Sequence, residues 1–417
     1  MQKKKIYAVS TAHLDTVWRW DLRKTIEEYL PDTLRKNFDL IERYPDYCFN
    51  FEGAFRYQLI EEYYPLAFAE IQNFVKNGNW YPAGACYENG DVNIPSPEAL
   101  FRNILLGNRY FQEKFGVQSK DIFLPDCFGF GQALPSVMKY AGLLGFTTQK
   151  LSWGSAYGVP FTLGYWQGVD GSRVLACPNA RSYRSKFSGD LRGEVSVIDD
   201  VAKNAFEGGL PYAQHLYGTG DVGGAPTEES VQSVCASAAE NEQKDFDVIS
   251  AQSDQIFKDI DALPDSDKDR LPVWNNELLM TSHGAGGYTA RAMGKRLNRQ
   301  CEVLADVAES TLSTAELLGV YTYPQETVTK AWERLIQHQF HDDLPGTSNM
   351  DIYNTGWNDY HTSLVQLQGE YTGAVGAIAN QLDTQWVTDC ALIVHNPLPF
   401  ARTERFGLEH QLRIMDN

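Results

Sequence analysis

Short apolar runs alternate with longer stretches of helical periodicity through the first part of the chain. KKIYAV (4–9) is a β-type run that gives way to a polar turn, and residues 26–44 then place Leu30, Leu34, Phe38 and Ile41 on one face of an amphipathic helix. CFNFEG (48–53) predicts a second strand and residues 55–77 another helix. After KNGNW a third apolar run leads to a helix that opens at Ser96, a capping residue followed by Pro97 in the first turn. Residues 122–124 form the next strand. Strands alternating with helices in this way predict a mostly parallel sheet with helices on both faces, or a barrel. The texture then changes. Residues 291–318 carry Leu297, Cys301, Leu304, Val307, Ala308 and Leu312 at helical spacing, and 326–342 and 361–382 are two further amphipathic stretches, which together predict a three-helix bundle. The acidic DALPDSDKDR (261–270) reads as the linker between the two parts. Residues 391–394 and 404–408 read as strands around the turn HNPLP, too few for a domain of their own.

Composition narrows the functional classes. The 417 residues exceed the ~250–300 at which a single core stops growing, so more than one domain is expected. With 54 acidic against 36 basic residues the net charge is −18, which repels nucleic acid and anionic membrane surfaces. No apolar run approaches the ~18 residues that span a bilayer, and MQKKKIYAVSTAHLD has the form of neither a secretory signal nor an anchor. The seven cysteines are scattered and form no C-x-x-C pair, so neither a disulfide framework nor a thiolate zinc site is indicated and a cytoplasmic location is expected. The 9 Trp, 22 Tyr and 21 Phe suit sugar stacking and a large core alike.

Chemistry-bearing side chains follow the apolar runs. In STAHLDTVWR (10–19), His13 and Asp15 stand two apart just past the first strand, so in extended backbone both project from one face. They can share a divalent cation, for zinc at about 2.0–2.2 Å; a capping aspartate and a hydrogen-bonded core histidine are the plainer reading. Asp126, in LPDCFGF, again follows an apolar run. Ligands of parallel α/β folds bind at the carboxyl ends of strands, where two such positions converge, although an aspartate there also simply opens a turn. In QHQFHDDLPGTS (337–348), His338 and His341 are three apart at the end of a predicted helix, hence on one face, and either is a candidate ligand. The helix dipole by itself also favours histidine there. The Gly-rich YGTGDVGGAPT (217–227) carries Asp221 and lacks the phosphate-loop pattern.

Taken in order, STAHLDTVWRW, YENGDVNIPSPEALFRNILLGNRYF, LPDCFGF, TTQKLSWG, YWQGVDGSRVL, GTGDVGGAPT, NNELLMTSHGAGGYTAR and QFHDDLPGTS resemble the α-mannosidases of glycoside hydrolase family 38 over nearly the whole chain. The resemblance implies an α/β fold: a seven-stranded (β/α) glycoside hydrolase/deacetylase-type barrel over 1–265, followed by a three-helix bundle over 271–385. At 388–417, where VHNPLPFARTERFGL is similar to its first strands, it implies the start of a truncated C-terminal β-sandwich. It also implies one Zn2+ held by His13, Asp15, Asp126 and His341, which selects His341 over His338; two histidines and two aspartates are not exclusive to zinc. The implied reaction is retaining hydrolysis of terminal α-linked mannose from an oligosaccharide or glycan, with Asp126 as nucleophile and Asp221 as acid/base. Two carboxyl groups about 5 Å apart suit that double displacement. Trp18 and Phe128 are implied to line the sugar subsite, where aromatic rings stack well, and Asp342 to hydrogen-bond the sugar.

The chain departs from the family pattern at Val222 and Ala225 in the acid/base loop. It departs again at Thr281, where the family has a second glutamate, while Glu277 and His283 persist without an assigned catalytic role. The expected partner is thus an α-mannoside, with no nucleic acid or membrane, and a homo-oligomer is compatible with the sequence. Two other readings stand beside this one. The first is a truncated remnant that binds metal and sugar without turnover. The second is a metal-dependent carbohydrate deacetylase, which leaves QFHDDLPGTS and GTGDVGGAPT without a role.

Overall fold

The computed structural model describes residues 2–388, 391–403 and 405. Its strands, in chain order, are β1 (Lys4–Ala12), β2 (Phe49–Glu52), β3 (Trp80–Ala83), β4 (Asp121–Phe123), β5 (Gly129–Phe130), β6 (Gly145–Thr147), β7 (Gly164–Gln167), β8 (Arg173–Cys177), β9 (Tyr212–Thr219), β10 (Phe246–Ser250), β11 (Val273–Trp274) and β12 (Leu278–Leu279). β1 is the hub of the first sheet. It pairs in parallel with β9 along one edge and with β10 and then β2 along the other, and β2 pairs with β3. Covered on both faces, β1 is buried from Ile6 to Ala12, which is why it reads as a continuous run and not as an alternation. The second sheet runs β11–β7–β8–β6–β4, parallel except between β7 and β8. Single backbone bonds join the two sheets at both ends: Ala85 N–H donates to the Asp121 carbonyl at 2.8 Å, and Leu216 N–H to that of Ala180 at 2.6 Å. β5 and β12 make a small antiparallel ribbon.

The α/β expectation holds, with local differences. The stretch 55–77 is two helices, Ala54–Tyr63 and Pro65–Asn77, because Pro65 lacks the N–H that would continue the first and instead starts the second. Ser96 does cap the Pro97–Phe115 helix, its hydroxyl accepting from Ala99 N–H at 3.2 Å. The linker 261–270 is ordered, with a short helix Asp265–Lys268. Residues 391–394 contain no strand, and of 404–408 only Arg405 lies within the described residues.

The three bundle helices are Ala292–Leu317, Gln325–Gln337 and Met350–Ala379. The third begins eleven residues before the expected 361, capped by the Asn349 side chain, because its first turns present Ile352 and Tyr353 to the core. The second ends at Gln337 and not at 342. The bundle shares one apolar cluster with the sheet: Leu297, Trp332 and Leu335 belong with Ile6, Phe49, Phe51 and Trp80. Burying side chains of this size stabilises by about 2–3 kcal/mol each. Around Trp332 the polar groups are matched: its indole N–H donates to Glu309, which also accepts from Arg102 on the Pro97–Phe115 helix. Among the described residues no helix is long and apolar enough to cross a membrane, and the six described cysteines are all free.

Candidate active site

The carboxyl ends of the strands converge. His13 follows β1, Glu52 ends β2, Asp126 lies three residues past β4, Lys150 three past β6 and Asp221 two past β9. The loops after β1 and β9 are knit together by His13 N–H to the Thr219 carbonyl (3.0 Å), Asp15 N–H to Asp221 (2.8 Å) and Gly223 N–H to His13 (3.1 Å). From below, the fully buried Arg56 donates to the Leu14 carbonyl at 3.0 and 2.6 Å and pairs with Glu88 at 3.1 Å, so the turn that carries Asp15 is fixed. Gly220 is needed between the two loops: a Cβ there would lie 2.5 Å from the Tyr183 ring and 3.0 Å from His13 Cβ.

His341 arrives from the bundle. The predicted shared helical face of His338 and His341 does not form, because the helix stops before either residue. His338 turns inward between Asp343 (2.7 Å) and Asp359 (2.9 Å). Past it the chain makes a bridge between Gly90 and Phe340, and His341 is pinned to Asn89, whose carbonyl accepts from its backbone N–H and from Nδ1 at 2.9 Å. Gln339 anchors the same turn by donating to Asn298 and Glu302.

His13, Asp15 and His341 thereby form one buried cluster whose ligand atoms lie within 4.8 Å of one another. His13 Nε2 is 3.1 Å from Asp15 Oδ1, His341 Nε2 is 3.3 Å from the same oxygen, and Asp126 Oδ2 stands 3.9 Å from His341 Nε2. Each imidazole commits its other nitrogen elsewhere: His13 Nδ1 to Glu52 at 2.8 Å, His341 Nδ1 to Asn89. That commitment selects the tautomer that leaves Nε2 as the donor to a metal. His341 Nε2 is buried and makes no hydrogen bond, so the donor set fits a divalent cation. The carboxylates around it favour positive charge at this position. Burial opposes charge on His13, but Asp15 and Glu52 override it and raise its pKa well above the usual value. Burial works against Asp15 as an anion, yet the two histidines hold it well below the usual carboxylate range.

Above the cluster lies a cleft of about 290 Å³ lined by residues that include Trp18, Phe128, Asp126, Asp221 and Asp342. All eight residues singled out from the sequence therefore meet in one place. Phe128 packs edge-on to His341 with ring centroids 6.0 Å apart, and Trp18 stands at the rim. Asp342 accepts from the Thr347 hydroxyl; burial, then the charge of Asp15, pushes its pKa up to about 7 against the pull of His341.

Four contributors went unread. Lys150, 1% exposed, donates to Asp126 Oδ1 at 2.6 Å. The Tyr183 hydroxyl lies 3.2 Å from Asp126 Oδ1 and 2.9 Å from Asp221 Oδ1. Arg184 pairs with Asp221. Glu52 orients His13. For Lys150 and Glu52 the signal was available, since each sits at the carboxyl end of an apolar run, as His13 and Asp126 do. Tyr183 and Arg184 lie in the irregular segment after β8, where no periodicity marks them. His283 lines the cleft as well, its ring 4.7 Å from that of Trp153.

Residues 3–277 match the model of the glycosyl hydrolases family 38 N-terminal domain and residues 283–378 that of the alpha mannosidase middle domain, so the chain belongs to glycoside hydrolase family 38. Among its relatives are alpha-mannosidase G of Dictyostelium discoideum, 30% identical over 91% of this chain and 34% of that protein, and alpha-mannosidase 2C1 of Homo sapiens, 29% identical over 97% and 37%. The chain thus spans about a third of the length of these relatives. The fold matches the crystal structure of an alpha-mannosidase from Enterococcus faecalis V583 with a TM-score of 0.74 at 21% identity, covering 92% of this chain and 43% of that one.

Proposed function

We propose that this cleft hydrolyses terminal α-mannosides with retention of configuration, and that His13, Asp15, Asp126 and His341 hold a zinc ion at its floor. One observation carries the reading: a single hydroxyl, that of Tyr183, touches both Asp126 and Asp221 beside the His/Asp cluster. Those contacts put the two carboxylate oxygens within about 6 Å of each other, below the ~6.5–9.5 Å of inverting enzymes and compatible with the ~5–5.5 Å of retaining ones.

Asp126 is the nucleophile. Lys150 donates to it and fixes its orientation, and Tyr183, which burial and the charges of Asp126 and Asp221 keep protonated, adds a second donor. In the first step a carboxylate oxygen of Asp126 bonds to the anomeric carbon while the glycosidic oxygen takes a proton from Asp221 and leaves as the alcohol. In the second, Asp221 takes a proton from water, whose oxygen displaces Asp126 from the face that the alcohol left. The cation, when bound, supplies a template for neighbouring ring hydroxyls and stabilises developing charge. Trp18 and Phe128 wall the sugar, and Asp342 accepts from one of its hydroxyls.

We read residues 1–265 as the catalytic (β/α) domain and 271–385 as the bundle, while much of the β-domain start expected at 388–417 lies outside the described residues. The edge-joining bonds at Ala85 and Leu216 support a seven-stranded barrel made of β1, β2, β3, β4, β6, β8 and β9. Metal content and aryl α-mannosidase activity measured on one sample, with and without chelator, test the function. Zinc near one per chain and chelator-sensitive release of α-mannose are expected; undiminished rates in Asp126→Ala would remove the reading.

A further inference from the structure

The cleft is lined by four carboxylates, Asp15, Asp126, Asp221 and Asp342, and by three cations, Lys150, Arg19 and Arg184. Lys150 is buried and committed to Asp126. The arginines are not absorbed in this way. Arg184, with its side chain 52% exposed, spends one Nη on Asp221, which leaves most of its five N–H donors free. Arg19 is exposed, lies over Trp18 with its guanidinium carbon 4.1 Å from the ring centroid, and has no carboxylate partner among the described residues. In a chain with 54 acidic and 36 basic residues, a guanidinium that is left unneutralised at the mouth of the cleft needs a reason.

Their positions supply one, and here the argument rests on the α-mannosidase reading. Asp221 must face the glycosidic oxygen, so Arg184, bound to it, marks the side of the cleft where the leaving group sits. Arg19, over the Trp18 ring, lines the mouth of the same cleft. A neutral aglycone offers these two guanidinium groups nothing that water does not, whereas an anionic oxygen group accepts from their planar forks in charge-assisted pairs. We propose that the leaving-group side of the cleft selects α-mannosides whose aglycone carries a carboxylate or a phosphate, with Arg19 and Arg184 as the residues that recognise it.

The test uses three α-thiomannosides that resist hydrolysis: 4-carboxyphenyl, its methyl ester and 4-phosphonooxyphenyl. Their binding to the metal-loaded 417-residue chain is measured by calorimetry at low and high salt. The expected result is that one or both anionic ligands bind on the order of tenfold more tightly than the ester, the scale of one charged hydrogen bond, and that salt erodes this preference. The tighter of the two identifies the group that the site favours. Arg19→Gln and Arg184→Gln should each shrink the anion-to-ester ratio; because the ratio is internal, a general loss of affinity cancels. Equal binding of ester and anions, or a ratio that neither variant changes, overturns the inference and leaves the α-mannosidase reading standing. Binding of none of the three removes both.

Discussion

Glu52 offers the sharpest probe of the metal cluster, because it touches His13 and lies outside the proposed ligand set. Its carboxylate, 1% exposed, accepts from Nδ1 of a fully buried imidazole at 2.8 Å. Nothing else among the described residues is paired with that nitrogen, so Glu52 alone decides that Nε2 is the atom presented toward Asp15 and His341. Glu52→Gln keeps the shape, and its amide oxygen can still accept the bond, but the charge is lost. Glu52→Ala leaves a buried N–H without a partner. Replacing a carboxylate that orients a ligating histidine typically weakens metal binding by about 10–100-fold, or roughly 1.4–2.7 kcal/mol. The alanine variant should fall at the upper end and the glutamine variant at the lower. Zinc affinity measured by competition with a chromophoric chelator, on protein that calorimetry shows to be folded, gives both numbers. Zinc bound by both variants as tightly as by the parent chain would refute the assignment of His13 Nε2 as a ligand.

Two further outcomes follow from residues outside the ligand set. Burial opposes charge on His338, but Asp343 and Asp359 outweigh it and raise its pKa to about 9. A raised histidine contributes stability that is fully present below its unfolded value near 6.5 and is lost as pH rises through about 9, here about 3 kcal/mol at most. Urea unfolding should therefore show a larger deficit for His338→Gln at pH 6 than at pH 10, and an equal deficit would contradict the ion-pair account. At Gly220, alanine would push on the Tyr183 ring and His13 together, so Gly220→Ala should reduce both zinc affinity and aryl-mannoside turnover by tenfold or more while leaving far-ultraviolet dichroism intact.

How much of this was legible in advance depends on what each residue's neighbours reveal. β1, β2 and the Pro97–Phe115 helix were readable because both their periodicity and their caps lie in local sequence. The break at Pro65 was readable in principle, from a proline inside a helical pattern. The early start of the Met350–Ala379 helix was obscured because its first turns mix Asn, Thr, Gly and Trp with few aliphatic residues. The site separated along the same line. His13, Asp15 and Asp126 follow apolar strands and announce themselves, whereas the choice of His341 over His338 came only from family resemblance. Helical spacing put both on one face, and the Gly90–Phe340 bridge that separates them is a tertiary contact invisible to any local pattern. Tyr183 and Arg184 are set by the packing of an irregular loop, for which sequence carries no period.

That bridge also has a thermodynamic meaning. His13, Asp15 and Asp126 belong to the segment matched by the family's N-terminal model, and His341 to the segment matched by its middle-domain model. A cation held by all four is therefore a clasp between the two units. By linkage, the free energy released when it binds is also free energy that resists their separation, about 4 kcal/mol at a thousandfold excess over the dissociation constant. Chelation should then loosen the seam between bundle and sheet before it unfolds either one, with proteolytic cutting appearing first around residues 277–283, where the two matches meet.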